Sequence, residues 1–343
     1  MVKKVGLLVI PLAIIALLVG SAFIGVFPMD TTPANSNTPN TSTANTSVKQ
    51  NGVTLDVFFL DVAQADCILL KTAGHNMLID AGNTGQDKLI LDYLTKYDVT
   101  TLDYLVATHP HADHIGSMTS VVKAMNNINM VLMPDKSHTT KTFENLIKAI
   151  DEKDIPVTMP KPGDTFTLGS ANIQVLAPCS TTTYKDLNDY SLVLRVEFGD
   201  TVFLFTGDAE TKSEDEQLLN DYSLKADVIK ISHHGSRTSS TQKYLDRVSP
   251  KYAVISCGTG NTYGHPHKET MTRLTAMEIP IYRTDIDGTI IFVTDGKQIT
   301  ITVEHESETT LPSINIESVC LLYNENHKIV PIQYSFLYIK NKA

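Results

Sequence analysis

Three histidines and one aspartate lie within six residues of the sequence, as His109, His111, Asp113 and His114. They directly follow the apolar residues 104–107, which are typical of a strand. A strand end and a tight loop can direct alternating side chains into one pocket. His109 and His111 can then bind one divalent cation, and Asp113 and His114 a second, about 3.5 to 4 Å away. Because imidazole and carboxylate suit such ions, the spacing predicts a binuclear metal site rather than a histidine-rich surface loop.

Other acidic and histidine residues also come after apolar runs. Asp80 ends the run Leu-Ile-Asp, Asp208 follows Leu-Phe-Thr-Gly, and His233 and His234 follow Ile-Lys-Ile-Ser. Since α/β folds place ligands at the ends of strands, we expect these side chains to face one site. A carboxylate such as Asp208 can bridge two cations and offset their charge, and a later histidine can complete the second site.

A metal-activated water is the expected nucleophile of such a site, because a water shared by two cations loses its proton near neutral pH. His265 is a candidate phosphate donor or general acid for the leaving oxygen, with a structural histidine as the alternative. Three residues after the double histidine could hold phosphate through hydroxyl, guanidinium and backbone N–H groups, namely Ser236, Arg237 and Ser239.

Strand and helix patterns alternate in two halves of the chain. Short β-rich runs begin near residue 53, and helical patterns at 86–97, from 115 and at 143–152 alternate with strands at 104–107 and 130–133. The second half has strands at 173–176, 192–198 and 202–206, helices at 210–222, 242–248 and 269–277, and a hairpin at 289–303 turning at Asp295-Gly296. Two strand-rich halves with outer helices predict a layered α/β sandwich.

The ends of the chain have a different composition. Residues 5–27 are uncharged and long enough to span a bilayer, and Lys3 and Lys4 would remain cytoplasmic. We interpret residues 1–29 as a transmembrane anchor, with a cleaved signal peptide as the alternative. The Thr/Asn/Ser/Pro-rich residues 30–50 predict a disordered linker. The hydrolytic domain is placed at 51–306, on the outer face of a cell membrane or secreted, and 307–343 form an extension of unknown role.

The charge balance restricts the partners. The chain of 343 residues has a formal charge of −10, which excludes a protein coated in basic residues for non-specific nucleic-acid binding. Residues 225–283 hold nine basic and four acidic residues, so they carry +5 and the remainder −15. This asymmetry could focus an anionic polymer on the site, although solvated helix faces would also account for it. The four cysteines form no C-x-x-C pair.

Taken together, these motifs resemble the metallo-β-lactamase fold superfamily, and within it the extracellular hydrolase domain of the ComEC family of DNA-uptake proteins and its stand-alone relatives. The likeness covers residues 53–303. It rests on 60–66 (Leu-Asp-Val-Ala-Gln-Ala-Asp), 109–114, 206–208 (Thr-Gly-Asp), 232–236 (Ser-His-His-Gly-Ser), 256–258 (Ser-Cys-Gly), 261–267 (Asn-Thr-Tyr-Gly-His-Pro-His), 283–285 (Arg-Thr-Asp) and 287–288 (Asp-Gly). The resemblance implies a four-layer αββα sandwich with a metal centre between its sheets.

The resemblance also implies roles for individual residues. His109 and His111 would bind the first ion, Asp113 and His114 the second, Asp208 would bridge them, and His233 would complete the second site in preference to His234, being nearer the strand end. Asp80 would orient the histidine loop. The family's third histidine of the first site is absent, and its region reads Asn188-Asp-Tyr-Ser191. Asn188, Ser191 and His234 are therefore supporting residues, and the two ions are zinc or manganese.

The sequence thus predicts an extracytoplasmic metal-dependent phosphodiesterase or nuclease acting on DNA, with Asp113 and His265 as catalytic residues. A lactone, lactam or thioester hydrolase on the same fold is one alternative, and a non-catalytic surface binding protein is another. DNA and the membrane are the expected partners. Because the chain shows one membrane-length segment, any role in DNA transport would need a separate pore protein.

Overall fold

The computed structural model describes residues 52–179 and 182–305. The expected anchor at 1–29, the linker at 30–50 and the extension at 307–343 lie outside these residues. Among the helices of the described residues, none is both long enough and apolar enough to cross a membrane.

The first sheet holds the strands of the first half and the last two strands of the described chain. Its order is β15-β14-β1-β2-β3-β4-β5-β6, in which β14 pairs antiparallel with β1. The elements of the first half are β1 (Leu55–Phe59), β2 (Ile68–Thr72), β3 (His75–Ile79), α1 (Asp87–Lys96), β4 (Thr101–Val106), α2 (Ala112–Ile115), α3 (Met118–Ala124), β5 (Asn127–Leu132), α4 (Lys141–Glu152) and β6 (Val157–Thr158).

The second sheet has the order β13-β12-β11-β10-β9-β8-β7. Short 3₁₀ turns at Asn188–Tyr190 and Ser232–Gly235 carry polar residues between its strands. The remaining elements are β7 (Thr165–Leu168), β8 (Ala171–Ala177), β9 (Val193–Phe198), β10 (Thr201–Phe205), α5 (Thr211–Leu219), β11 (Val228–Lys230), α6 (Gln242–Val248), β12 (Tyr252–Ile255), α7 (Lys268–Ala276), β13 (Ile281–Arg283), α8 (Thr284–Asp287), β14 (Ile290–Thr294) and β15 (Ile299–Val303).

The apolar spacing of the helices explains which face each one buries. In α4, Leu146, Ala149 and Ile150 are buried at i, i+3 and i+4, the spacing of one helix face. The hydroxyl of Thr140 accepts a hydrogen bond from the backbone N–H of Phe143 at 3.4 Å, so it caps one of the free N–H groups at the helix start. The predicted helix at 143–152 is confirmed, and it begins two residues earlier.

Apolar side chains form one core between the sheets and two outer cores. The central core contains a group of phenylalanine rings, with Phe59 lying 5.8 Å from Phe292 and 6.1 Å from Phe205 between ring centroids. One outer core packs the first sheet against α1, α3 and α4, and the other packs the second sheet against α6 and α7. The described residues therefore form an αββα sandwich, which confirms the predicted layered α/β fold.

Parallel strands bring the polar loops to one region. β3 and β4 are parallel in the first sheet, and β10, β11 and β12 are parallel in the second. Carboxyl ends of parallel strands meet at one edge, so the loops after these strands lie near one another. Asp80 follows β3, the histidine loop follows β4, Asp208 follows β10 and the double histidine follows β11.

Candidate metal centre

The histidine loop is held in place by Asp80. This residue has a positive φ of 59°, and its carboxylate accepts hydrogen bonds from the backbone N–H of Thr108 at 2.8 Å and from its hydroxyl at 2.7 Å. The same carboxylate lies 2.7 Å from Nδ1 of His114 on α2. A strained backbone at a buried carboxylate with three partners is typical of a functional site. Asp80 therefore positions the loop and one histidine ring.

The carboxylate of Asp208 lies at the centre of a ring of imidazoles. Asp208 is almost fully buried, and its Oδ2 lies within 4.0 Å of the Nε2 atoms of four histidines. The distances are 3.2 Å to His114, 3.7 Å to His234, 3.9 Å to His233 and 4.0 Å to His109.

These four rings also share an orientation, because the Nδ1 atom of each has a hydrogen-bonding partner on the side away from Asp208. An Nδ1–H that donates to such a partner leaves Nε2 as the atom that can bind a cation once it carries no proton. The partners are Asp80 for His114 (2.7 Å), the Ser256 carbonyl for His234 (2.9 Å), Glu210 for His233 (2.9 Å) and the Ser191 hydroxyl for His109 (3.3 Å).

The donor set fits a divalent cation. Ligand atoms of Asp113, His114, Asp208 and His234 all lie within 4.8 Å of one another. Two buried atoms of these residues, His114 Nε2 and Asp208 Oδ1, make no hydrogen bond of good geometry within the described residues. Buried polar atoms without partners are costly, and two carboxylates with two imidazoles are suitable ligands for zinc or manganese. The expected divalent cofactor is therefore compatible with this site.

The two adjacent histidines differ in burial and in contacts, and the structure groups His234 rather than His233 with the residues of the predicted second site. His234 is buried, groups with the second-site residues and contacts Asp113 through Nε2 at 3.2 Å. The side chain of His233 is 24% exposed and lies beside Glu210. Both histidines have left-handed backbones, with φ values of 49° and 51°, and their ring centroids lie 6.2 Å apart with 67° between the planes. Proximity to the strand end therefore does not decide between them, and the assignment of the second-site histidine stays a prediction.

Asn188, from the region where the family's third histidine is absent, and His233 line the cavity together with Asp208. Nδ2 of Asn188 lies 3.3 Å from Nδ1 of His233, and its buried Oδ1 has no hydrogen-bond partner among the described residues. His111 lies beside His109, with 3.0 Å between Nδ1 of the former and Nε2 of the latter. An additional imidazole and an oxygen donor are therefore present near the residues of the predicted first site.

Ser191 supports both Asp208 and His109. Its hydroxyl oxygen accepts a hydrogen bond from the Asp208 backbone N–H at 3.0 Å and lies 3.3 Å from Nδ1 of His109. Both contacts are buried, so one short side chain fixes the position of the central carboxylate relative to the histidine loop.

Lys230 and Asp66 form a buried ion pair that the sequence analysis missed. Lys230 Nζ lies 2.5 Å from Asp66 Oδ2 and 3.8 Å from Asp208 Oδ1, and it donates to the Gly207 carbonyl at 3.0 Å. Asp66, Asp80 and His114 also cluster within metal-ligand distance. Since Lys230 already neutralises Asp66, this second cluster is an ion-pair network that supports the first. A lysine inside the apolar run Val-Ile-Lys-Ile was the available signal.

Burial and neighbouring charges move the pKa values of the site residues away from their usual values. Burial lowers the pKa of His114, but the carboxylates of Asp208 and Asp80 outweigh it and raise that pKa well above its usual value. Burial raises the pKa of Asp208, but His114 and the other histidines hold it well below its usual value. Burial and the charge of His114 lower the pKa of His109. A cation bound by these carboxylates would displace the His114 proton, so binding is coupled to proton release.

A cavity of about 320 Å³ opens onto the site. It is lined by His111, Ala112, Asp113, Asn188, Asp208, His233 and His234 on the metal side, and by Gln64, Tyr263 and His265 on the other. This volume is in the range of small-ligand pockets.

His265 is held in one tautomer. The Oε1 atom of Gln64 accepts a hydrogen bond from the Gly258 backbone N–H at 3.0 Å, which turns the Gln64 Nε2 donor towards His265 Nδ1 at 3.3 Å. Nδ1 therefore accepts, and the proton of a neutral ring lies on Nε2. Burial and the nearby histidines lower the pKa of His265 to about 4, so the ring is neutral at pH 7.

The three predicted phosphate-binding residues do not line the cavity. Ser239 is fully buried and its hydroxyl donates to the Ser232 carbonyl at 2.9 Å, while the Ser236 hydroxyl lies 2.8 Å from that of Thr238. Arg237 is exposed. The two serines hold the loop that carries the double histidine.

The basic surplus of residues 225–283 is smaller at the surface than the sequence count predicts. Lys230 is buried, and Lys243, Lys251 and Arg283 each pair with a carboxylate at 2.5 to 2.8 Å. The exposed cations of this segment include Lys225, Arg237, Arg247 and Lys268.

Several known proteins are similar to this chain in sequence. Residues 60–259 match the profile of the Metallo-beta-lactamase superfamily. The chain is 29% identical over 253 residues to ComE operon protein 3 of Bacillus subtilis, an alignment covering 68% of this chain and 32% of the relative. It is 32% identical over 235 residues to Competence protein ComA of Neisseria gonorrhoeae (68% and 31% covered), and 29% over 242 residues to Recombination protein 2 of Haemophilus influenzae (69% and 28%).

The chain spans about a third of the length of these curated relatives. The matched residues 60–259 are more than half of the chain, and they include the histidine loop, Asp208 and the double histidine. The resemblance to competence proteins is confirmed, and the chain belongs to the metallo-β-lactamase superfamily.

Proposed function

We propose that this chain is a metal-dependent phosphodiesterase that cleaves DNA. The observation that carries the proposal is the convergence of four histidine Nε2 atoms on one carboxylate oxygen of Asp208, beside a cavity that also contains a neutral imidazole donor. Such a set of ligands suits hydrolysis of a phosphate ester, whose transition state gathers negative charge.

Two sets of residues would hold two divalent cations. His109, His111 and Asp208 would hold one, with His233 on the side of the missing histidine. Asp113, His114, Asp208 and His234 would hold the other. When bound, the cations would lower the pKa of a water and offset the charge of a phosphate. The protein's own contribution is to fix these ligands, through Asp80, Ser191, Glu210 and the Ser256 carbonyl.

His265 would bind a phosphate oxygen rather than act as a general acid. Its Nδ1 accepts from Gln64, and its pKa of about 4 leaves the ring without the second proton at neutral pH. A neutral Nε2–H can donate a hydrogen bond to an oxygen that gains charge, but it is a poor proton source. Of the two roles considered from the sequence, the structure favours the phosphate donor.

Three observations support DNA as the substrate. One of the relatives is named for competence, one for the ComE operon and one for recombination. The cavity is open and polar, and Arg237 is exposed on the loop that follows the double histidine. Phosphate contacts from such side chains position a nucleic-acid backbone.

We also propose that the hydrolytic residues lie outside the cytoplasm, anchored by residues 1–29, and that a separate pore protein takes up any product. The uncharged residues 5–27 after Lys3 and Lys4 support this orientation. Protease added to intact bacterial cells that express the chain should remove residues 51–306. Complete protection, with digestion only after lysis, would contradict the orientation.

The experiment that tests the function is DNA cleavage by the full chain, purified in detergent, stripped of metal and resupplied with manganese, zinc or magnesium. We expect cleavage of DNA that depends on added metal and is lost in Asp208→Ala. Asp92→Ala removes an exposed carboxylate on α1 and serves as the matched control. Hydrolysis of a lactone or thioester without DNA cleavage would move the assignment to acyl substrates, and absence of metal binding would favour the binding protein.

A further inference from the structure

Tyr263 presents an exposed aromatic ring at the mouth of the metal-centre cavity. Its side chain is 68% exposed. Among the exposed large apolar side chains of the described residues, it alone is aromatic and it alone lines this cavity. An exposed aromatic side chain beside this polar cavity is not part of the hydrophobic core. Its position therefore favours a role in ligand binding.

The loop that carries Tyr263 is fixed by Asn261. Nδ2 of Asn261 donates to the Gly258 carbonyl at 2.9 Å and to the His265 carbonyl at 2.6 Å, and its Oδ1 accepts from the His265 backbone N–H at 3.0 Å. Gly264, between the two rings, has a φ of +74°, a conformation that favours glycine. One amide side chain thus closes the turn and sets the position of both rings.

Tyr263 stacks on His265 with one face and leaves the other open. The two ring centroids are 5.7 Å apart and the planes differ by 21°. His265 is itself held by Gln64, so the tyrosine rests on an ordered neighbour. A ring that is already ordered loses little conformational entropy when a second flat group stacks on it.

We infer that Tyr263 is a stacking platform for a nucleobase of single-stranded DNA, next to the phosphodiester that the proposed site would hydrolyse. This inference rests on the proposed function. A base inside a duplex is covered by its neighbours on both faces, so an open ring accepts only a base that has left the stack. All bases have a π-face, so such a platform gives a preference for single strands without sequence specificity.

The charges around the platform suit a nucleic acid. The backbone N–H of Arg237 donates to Nδ1 of His267 at 3.1 Å, and the His267 ring lies 4.7 Å from His265 between centroids. The exposed guanidinium of Arg237 therefore belongs to the loop that borders the platform. An aromatic ring and a nearby cation are the two components of single-strand binding grooves.

A binding experiment tests the platform without requiring cleavage. The full chain in detergent is titrated, in EDTA, into a single-stranded oligonucleotide that contains 2-aminopurine, whose fluorescence changes on stacking. We expect a saturable change with the wild type and with Tyr263→Phe, and its loss with Tyr263→Leu, which keeps apolar bulk but not the ring. Leu219→Ala, at an 85% exposed apolar side chain outside the cavity, is the control and should behave as the wild type.

A cleavage experiment then measures the preference for a base. The metal-loaded chain is given an oligonucleotide with all its bases and one of the same length with abasic residues. Stacking of one base on an aromatic side chain strengthens binding by about 5- to 150-fold. The wild type should therefore cleave the oligonucleotide with all its bases faster than the abasic one, by a factor in that range. Tyr263→Leu should lose the preference by slowing cleavage of the complete oligonucleotide, while Tyr263→Phe and Leu219→Ala retain it.

The outcomes separate this inference from the proposed function. Cleavage of both oligonucleotides at equal rates, or an unchanged fluorescence signal with Tyr263→Leu, would overturn the platform and leave the phosphodiesterase intact. A Tyr263-dependent fluorescence change without any cleavage would support the platform and contradict the phosphodiesterase.

Discussion

Replacing Lys230 by methionine should lower the free energy of unfolding by about 3 to 5 kcal/mol. Lys230 and Asp66 are each only 1% exposed, and 2.5 Å separates Nζ from Oδ2. Methionine keeps the length of the side chain and removes its charge. The loss arises because the buried Asp66 carboxyl would lose its cationic partner and keep only longer contacts, to His234 at 3.5 Å and to His114 at 3.8 Å.

A surface pair provides the matched control. Lys251 Nζ lies 2.8 Å from Asp227, but the lysine side chain is 72% exposed, so Lys251→Met should cost at most about 1 kcal/mol. The double variant Asp66→Asn with Lys230→Met removes both charges together. We expect it to be more stable than Lys230→Met alone, because no uncompensated buried charge remains.

The assay is urea denaturation followed by far-UV circular dichroism, since the chain contains no tryptophan. Measurements are made in EDTA so that metal binding does not stabilise the folded state. For domains of 150 to 250 residues, 3 to 5 kcal/mol corresponds to a fall in Tm of roughly 6 to 20 °C. A Lys230→Met variant as stable as Lys251→Met, or singles whose costs simply add in the double variant, would refute the reasoning.

Three further results are expected. Asp80→Asn should weaken metal binding about 10- to 100-fold, measured by competition with a chelating dye, because it removes the negative charge and replaces one of the two oxygens that accept from Thr108 and His114 with an NH₂ donor; unchanged affinity would contradict this. Since folding lowers the pKa of His265 to about 4, its contribution to stability is present above the unfolded pKa of about 6.5 and is lost as pH falls towards 4. In metal-free protein at pH 6, ¹⁵N NMR should therefore show a neutral Nε2–H ring, whereas an imidazolium spectrum would refute this. Gly258→Ala would place a Cβ 2.5 Å from the Gln64 backbone nitrogen, so it should lower the free energy of unfolding in urea by about 1 to 3 kcal/mol. Unchanged stability would contradict this and show that the backbone around residue 258 can shift to accommodate the methyl group.

The centre of the site was predictable because its residues are close in sequence or end recognisable strands. The spacing of His109, His111, Asp113 and His114 after an apolar run identified the loop, and the Thr-Gly-Asp turn identified Asp208. Local patterns of this kind follow from strand and turn geometry, so one sequence suffices to find them.

The supporting residues were harder to predict because they act across the fold. Glu210 orients His233 from 23 positions away, and Gln64 contacts His265 from 201 positions away. No periodicity links such pairs. The choice between His233 and His234 is hard for a related reason, since the left-handed backbone at both residues is a tertiary feature.

The secondary structure was predicted well where elements are long and amphipathic, as for α1 and α4. The short strands β12 and β13, with four and three residues, lacked enough alternation to be recognised. Sequence order also gave no indication that β14 of the second half returns to pair with β1 in the first sheet. Pairings of such long range depend on the packed core rather than on local propensity.

The central claim is that Asp208 organises a centre for two divalent ions, and counting bound metal tests it most directly. The metal-stripped full chain is dialysed against manganese or zinc, and bound metal per chain is measured by inductively coupled plasma mass spectrometry. We predict two ions for the wild type and for Asp92→Ala, and fewer than one for Asp208→Ala. Equal metal content in Asp208→Ala and the wild type, or no metal in either, would contradict the account.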